Sequence, residues 1–172
     1  MNKSYILLIT IFLLCSCSHK RQQSLNVQEQ DTAWVDVFHL LGKHVYSLDS
    51  ILQNEDKQAN IIFLFNFYDC GSCIDSGFQL VKRIDKFYRR KSVPIISSMG
   101  NPTQYQIRNQ YQEYIYSDNN DLIRKELKYM PTPILIQTND EKKIINYIFP
   151  NISDKQEYKR FFRFMNKTDS DI

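Results

Sequence analysis

The sequence lacks a strong charge of one sign. Its 22 lysine and arginine residues are interspersed with 19 aspartate and glutamate residues, so the formal net charge of the 172-residue chain is only +3. Proteins that bind nucleic acid usually carry a basic patch or arm that follows the phosphate backbone. Because the sequence has no such stretch, we do not expect nucleic acid to be a partner.

The first twenty residues lack an apolar run that could cross a bilayer as a helix, which takes about 20 residues. A shorter apolar stretch, from Tyr5 to Leu14, follows the basic Lys3 and precedes small residues. This order is typical of a secretory signal. We therefore expect the chain to be exported.

Cysteine is scarce, and two of the four cysteines, Cys15 and Cys17, directly follow the apolar stretch. The sequence "LCSC" that ends at Cys17 resembles the lipobox of bacterial lipoproteins, in which cleavage leaves a cysteine as the lipid-bearing N-terminus. Ser16 has the small side chain that a lipobox places before this cysteine, whereas Leu14 before Cys15 is too large. The resemblance implies that Cys17 is acylated. An ordinary cleaved signal with two incidental cysteines is the alternative.

Together with the composition, the lipobox resemblance divides the chain into four expected parts. With 42% hydrophobic and 13% aromatic residues, the chain can bury one core. A polar segment lies between the lipobox and the part of the chain that we expect to fold, and it has the composition of a solvated tether. The expected parts are a lipoprotein signal peptide at 1–16, a lipidated N-terminus and flexible tether at 17–32, a folded domain at 33–167 and a polar tail at 168–172.

Apolar patterns in the folded domain predict strands that alternate with helices. Nearly continuous apolar and β-branched runs predict buried strands, and apolar residues at three- and four-residue steps predict helices. The predicted strands are 33–40, 60–68, 92–98, 132–138 and 143–149, and the predicted helices lie near 48–53, from 70 to about 89, and within 102–114, 119–130 and 154–166. We expect an α/β fold with a central mixed β-sheet flanked by helices, a C-terminal β-hairpin and a closing helix.

The remaining cysteines, Cys70 and Cys73, stand three apart where a predicted buried strand gives way to a long helix. Free amide groups and the helix dipole stabilise a thiolate at the start of a helix, so Cys70 is expected to be the attacking nucleophile. Cys73, one turn later, can resolve a mixed disulfide formed at Cys70. Such a redox-active disulfide requires no cofactor. Export also places the pair where disulfides persist.

The order of strand, "CGSC", long helix and then "MPTPILI" before a hairpin resembles the thioredoxin-like superfamily. With the lipid signal, it most resembles the membrane-anchored TlpA/ResA type of thiol-disulfide oxidoreductase, over about residues 33–167. The resemblance implies that Pro131 is the cis-proline that packs against the disulfide. It also implies that Met130 offers its backbone to a substrate strand.

The same resemblance implies partners and a location. The partners would be thiols or disulfides of exported proteins, with an integral membrane protein as the thiol-electron donor. The protein would be lipid-anchored in the bacterial cell envelope and would face the periplasm.

Two positions depart from the family pattern. Asp69 stands where the family usually has tryptophan before the first cysteine, and its charge is expected to oppose a thiolate at Cys70. Leu64 stands where many members have a buried acid that accepts a proton from the second cysteine. Glu55 and Asp75 are candidates for replacing that acid. We therefore expect Cys70 to be less acidic than its counterpart in a typical member.

Three other interpretations of the cysteine pair remain open. Zinc could be held by both cysteines together with His39 and His44. The pair could be a static structural disulfide, although so short a loop constrains little of the unfolded chain. A peroxidase related to peroxiredoxins is disfavoured because Phe67 stands where such enzymes place a threonine.

We predict a membrane-anchored thiol-disulfide oxidoreductase that exchanges disulfides with exported proteins through the CGSC motif, with no metal. The alternative is a thioredoxin-fold lipoprotein that acts as a binding module. Its cysteine pair would then be structural or vestigial, because a fold alone does not fix a function.

Overall fold

The structure is a computed structural model that describes residues 36–53, 56–88, 93–150 and 155–170. The predicted signal peptide, the lipidation site Cys17 and the tether lie outside the described residues. In chain order, the elements are α1 (Leu48–Ile51), β1 (Ile61–Asn66), α2 (Gly71–Tyr88), β2 (Ile95–Ser98), α3 (Thr103–Arg108), β3 (Ile115–Asp118), α4 (Leu122–Glu126), β4 (Ile134–Thr138), β5 (Ile144–Ile148) and α5 (Lys155–Ser170).

The five strands form one mixed sheet in the order β3-β2-β1-β4-β5. Strands β1, β2 and β3 are mutually parallel, with Phe63 of β1 opposite Ile95 of β2. Strand β4 runs antiparallel to β1, with Leu64 opposite Ile134, and forms a hairpin with β5. A mixed sheet with a long helix after its central strand and a C-terminal hairpin is thioredoxin-like, so the predicted fold class is confirmed.

One cluster of the core lies between one face of the sheet and helices α2 and α5. Apolar residues of the other face, among them Ile62, Leu64 and Ile96, are buried as well. All six residues of β1 are buried, and their side chains alternate between the two faces of the sheet. Phe63 and Phe65 point to the helical face, where their rings contact Phe78 of α2 at centroid distances of 5.7 and 5.8 Å. Both helices contribute fully or nearly fully buried residues to this cluster, namely Ile74, Phe78, Val81, Ile84, Phe161 and Met165.

Helix α2 approaches β1 most closely at Gly77. A Cβ atom at this position would lie 2.1 Å from the ring of Phe63, well inside van der Waals contact. Phe63 is fully buried between other rings, so its side chain has little room to move away. The missing side chain at Gly77 therefore sets the distance between the helix and the sheet.

The strand predicted at 33–40 is wrong in its described part, which is a turn. The carboxylate of Asp36 accepts hydrogen bonds from the backbone N–H groups of Leu40 and Leu41, both at 2.9 Å, and from the Tyr147 hydroxyl at 2.7 Å. His39 adopts a left-handed φ of 50° within this turn. The alternating apolar pattern suggested a strand, but aspartate is a strong turn former because its side chain can bond the following backbone.

The region after β2 also differs from the prediction. Helix α3 ends at Arg108, because Asn109 leaves helical geometry and Gln110 takes a left-handed φ of 49°. The short strand β3 follows and was missing from the predicted elements. The closing helix α5 reaches Ser170, beyond the predicted domain boundary at 167.

Among the described residues, no helix combines the length and apolar content that crossing a membrane requires.

Replacement of Gly77 by alanine tests the close approach of α2 to β1. We expect Gly77→Ala to lower the free energy of unfolding by up to about 2 kcal/mol, because overpacking costs about 1–3 kcal/mol and alanine's helix propensity returns about 1 kcal/mol. Urea unfolding measures the change. In a Phe63→Leu background the same replacement should lower the free energy of unfolding by less, because the ring that the new methyl group meets is absent. An equal cost in both backgrounds would contradict the clash.

Candidate active site

The turn between β1 and α2 is closed by two side chains. The carboxylate of Asp69 accepts a hydrogen bond from the backbone N–H of Asn66 at 2.8 Å, and the Asn66 side-chain oxygen accepts one from the N–H of Tyr68 at 2.9 Å. The N–H of Phe67 donates to the carbonyl of Ser98 at the end of β2, at 3.3 Å. These bonds fix the direction in which the chain enters α2.

Cys70 stands directly before α2, and Cys73 lies in its first turn. The carbonyl of Cys70 accepts the N–H groups of Cys73 and Ile74, both at 3.0 Å, so the residue joins the helix through its backbone. Its sulfur is exposed, whereas Cys73 is partly buried, and both are free thiols in this structure. This arrangement leaves one sulfur open to an incoming disulfide and the other behind it.

The two cysteines differ in acidity. A hydrogen bond from the Cys73 thiol, followed by one with the Ser72 hydroxyl at 3.1 Å, lowers the pKa of Cys70 to about 7. The pKa of Cys73 is raised, first because its proton is shared with Cys70 and then by burial. As pH rises, the exposed sulfur of Cys70 therefore ionises before that of Cys73, which is the asymmetry expected if Cys70 attacks and Cys73 resolves.

The carboxylate of Asp69 is used in the turn, and its expected opposition to a thiolate at Cys70 stays a prediction. Its carboxylate points back to the N–H of Asn66, and the pKa of Cys70 is lowered rather than raised. The hydrogen bond to Cys70 is the first cause of the raised pKa of Cys73, and the charge of Asp69 adds to that rise. Directly before the first cysteine, this chain thus has a residue that closes the turn. The expected lower acidity of Cys70, compared with thioredoxin-like proteins that have tryptophan before this cysteine, stays a prediction.

Asp75, one candidate acceptor for the Cys73 proton, is bound to residues at the end of α3. One carboxylate oxygen of Asp75 forms an ion pair with Arg108, and the other accepts a hydrogen bond from the Asn109 amide at 2.9 Å. Leu64 is fully buried in β1. Glu55, the other candidate, lies outside the described residues.

The assignment of Pro131 as the cis-proline is wrong. The cis peptide bond joins Thr132 to Pro133, which is buried and directly precedes β4, whereas Pro131 is exposed. The segment "MPTP" contains two X–Pro bonds, and the order of motifs along the chain could not distinguish them. Met130 has a buried side chain, and its proposed pairing with a substrate strand stays a prediction.

The histidines of the zinc interpretation have other contacts. Nδ1 of His44 lies 3.0 Å from the carbonyl oxygen of Glu141, and its ring stacks on Tyr46 with the centroids 4.8 Å apart. His39 belongs to the turn after Asp36. Within the described ranges, no group of three or more histidine, cysteine or acidic side chains is arranged to hold a metal ion.

Two residues near the motif were missed by sequence reasoning. Ser72 received no role from the sequence, although a hydroxyl two residues from a cysteine could have indicated a hydrogen bond. Arg108 had no sequence signal, yet its Nη1 atom lies 3.5 Å from where a Cβ atom of Gly71 would be. A groove of about 350 Å³ also begins at Ser72 and runs along α2 beside Tyr158 of α5. It is lined by Ser72, Asp75, Ser76, Gln79, Leu80, Arg83 and Tyr158.

No protein-family model and no curated protein sequence matches the chain. Solved structures do resemble it. A protein from Chlorobium tepidum assigned as a thiol:disulfide interchange protein DsbE is 12% identical, with a TM-score of 0.49 over 66% of this chain and 84% of that one. A protein from Neisseria meningitidis assigned as a thioredoxin is 13% identical, with a TM-score of 0.48 over 69% and 83%.

A thiol-disulfide isomerase from Corynebacterium glutamicum is 17% identical, with a TM-score of 0.45 over 75% of this chain and 97% of that one. These likenesses are too distant to transfer a function. The chemistry of this chain is therefore argued from its own cysteines.

Replacement of Ser72 by alanine tests its hydrogen bond to Cys70. Loss of the donor destabilises the thiolate, so the pKa of Cys70 should rise above its value of about 7. The rate of iodoacetamide alkylation as a function of pH measures this pKa. Ser76→Ala, one turn further along α2, is the matched control and should leave the titration unchanged. A Ser72→Ala titration that coincides with that of the parent protein would refute the role of the hydroxyl.

Proposed function

We propose that this chain, which has a thioredoxin-like fold, is a thiol-disulfide oxidoreductase. The observation that carries the proposal is the position of Cys70: its sulfur is exposed at the start of α2 and accepts hydrogen bonds from Cys73 and Ser72. An exposed thiolate beside a second, protonated thiol is the arrangement that disulfide exchange requires.

The exchange proceeds in two steps. The Cys70 thiolate attacks one sulfur of a substrate disulfide, the substrate S–S bond breaks, and the departing sulfur leaves as a thiolate. Cys73 then loses its proton and attacks Cys70, which releases the second substrate thiol and leaves a Cys70–Cys73 disulfide. The substrate gains two electrons and the protein loses two, and the reverse sequence oxidises a substrate dithiol.

The buried Leu64 favours a second candidate, a binding protein with an inert cysteine pair. The second step needs Cys73 to lose its proton, yet its pKa is raised, first by the hydrogen bond to Cys70, and an apolar side chain stands where the family has a proton acceptor. The second step, the attack of Cys73 on the mixed disulfide, is therefore expected to be slow. The two candidates differ in whether the pair turns over at all.

The location is also a proposal. The lipobox resemblance at Cys17 supports a lipid-anchored protein of the bacterial cell envelope that faces the periplasm. Exported protein thiols and disulfides are then its substrates, and an integral membrane protein is the source or sink of electrons.

The first experiment is the redox equilibrium of the purified protein in glutathione buffers, read by mass after alkylation. We expect a reversible two-electron transition in which Cys70 is alkylated before Cys73. Cys70→Ser abolishes the transition, whereas Cys73→Ser should stop at a mixed disulfide on Cys70. A pair that stays in one state across all buffers would favour the binding protein.

Radiolabelled palmitate tests the anchor. We expect label in the parent protein and its loss in Cys17→Ala, because the lipobox resemblance assigns the acyl chains to that residue. Cys15→Ala is the control and should retain the label. Equal labelling of Cys17→Ala and the parent would reject the assignment.

A further inference from the structure

Arg108 lies against the middle of the CGSC motif. It is the last residue of α3, and its Nη1 atom lies 3.5 Å from the position that a Cβ atom of Gly71 would occupy. Its side chain is 58% exposed, so the guanidinium is open to solvent on the surface next to the exposed Cys70. A positive charge therefore lies beside Gly71, the residue that directly follows the nucleophile Cys70.

A network between α2 and the end of α3 holds the guanidinium in place. Nη2 of Arg108 is bound to Asp75 of α2, and the amide of Asn109 donates to the same carboxylate at 2.9 Å. The ammonium of Lys82 donates to the carbonyl of Asn109. Because a guanidinium is planar, binding of Nη2 to Asp75 also fixes the direction of Nη1, towards Gly71.

The charges around Arg108 act at different edges of the guanidinium. Asp75 neutralises the Nη2 edge, whereas the carboxylate of Asp69 is turned to the N–H of Asn66. The Nη1 edge faces the motif and retains donors for an incoming group. Arginine binds carboxylates with charge-assisted hydrogen bonds, which select an acidic group over a basic one at this place.

We propose that Arg108 determines substrate specificity by binding an anionic group beside the attacked disulfide. The inference rests on the proposed disulfide exchange and adds a substrate class to it: disulfides flanked by carboxylates react faster than those flanked by ammonium groups. Arg108 takes no part in the transfer of electrons. It binds and orients the substrate while the Cys70 thiolate attacks, the S–S bond breaks and the leaving sulfur departs as a thiolate.

Three small disulfides of different charge test the proposal. Oxidised glutathione is anionic, 2-hydroxyethyl disulfide is neutral and cystamine is cationic. The rate constant for oxidation of the reduced full chain, with Cys15→Ser and Cys17→Ser, is measured with each at pH 7 and low salt. The ratio of the anionic to the neutral rate cancels changes in the thiolate fraction of Cys70.

We expect Arg108→Gln to lower the anionic-to-neutral ratio by about three- to tenfold, as the loss of one charge at this range predicts, and to raise the cationic-to-neutral ratio. The difference in these ratios between Arg108→Gln and the parent protein should largely vanish in about 1 M salt, where the screening length is about 3 Å. Asp75→Asn removes the counter-charge but keeps Arg108, so it should raise the anionic-to-neutral ratio. Because the two substitutions are expected to change the ratio in opposite directions, damage to the fold could not account for both results.

Arg83→Gln is the matched control, since it removes one exposed arginine from α2, far along the groove from Ser72. It should alter the ratio by less than about 1.5-fold. An unchanged ratio in Arg108→Gln, or an equal change in Arg83→Gln, would overturn the role of Arg108 while leaving disulfide exchange intact. If none of the three disulfides oxidises the parent protein, both the exchange and the inference fail.

Discussion

The hydrogen bonds that close residues 66–69 determine the geometry of the site. Asp69 accepts the last N–H of β1, and Asn66 accepts the N–H of Tyr68, so the chain reverses within a few residues and enters α2 in one direction. That direction leaves Cys70 exposed and turns Cys73 inward. The difference in acidity between the two sulfurs, and the order in which they react, follow from this placement.

The rest of α2 is held at two further points. At Gly77 the helix backbone lies against the ring of Phe63, which sets its height above the sheet. At Asp75 it is bound to Arg108 and Asn109, which ties it to the end of α3. A helix supported in this way keeps the nucleophile and its hydrogen-bond donors in a fixed geometry before any substrate arrives, which is how a rigid scaffold favours reaction.

The sequence was informative where one pattern dominated a segment. The apolar run of β1, the periodicity of α2 and the β4–β5 hairpin were all predicted, because burial on one or both faces leaves a strong signal. Strand β3 was missed because it has four residues, one of them exposed, in a segment whose tyrosines also fit helical spacing. The strand expected before residue 40 failed because the side chain of Asp36 bonds the backbone that a strand would have used.

The site was predictable in its motif but not in its surroundings. Two cysteines beside a helix start indicated their own chemistry, whereas "MPTP" could not indicate which proline follows a cis bond. Arg108 approaches Gly71 only because α3 ends beside α2. Such proximity between distant segments is a product of the tertiary fold, and a single sequence has no local pattern that reports it.

The two edges of the sheet differ in how well they are protected from other molecules. The backbone of residues 42–45 lies along the start of β5, where Gly42 donates to the carbonyl of Ile144 at 2.8 Å and Ile144 donates to that of Lys43 at 2.8 Å. Strand β3 is the opposite border of the described sheet. Because the unpaired backbone groups of an edge strand can bind a strand of a neighbouring chain, self-association at high concentration would begin at β3. Its brevity, four residues ending in a buried aspartate, limits how much of a foreign strand it can pair with.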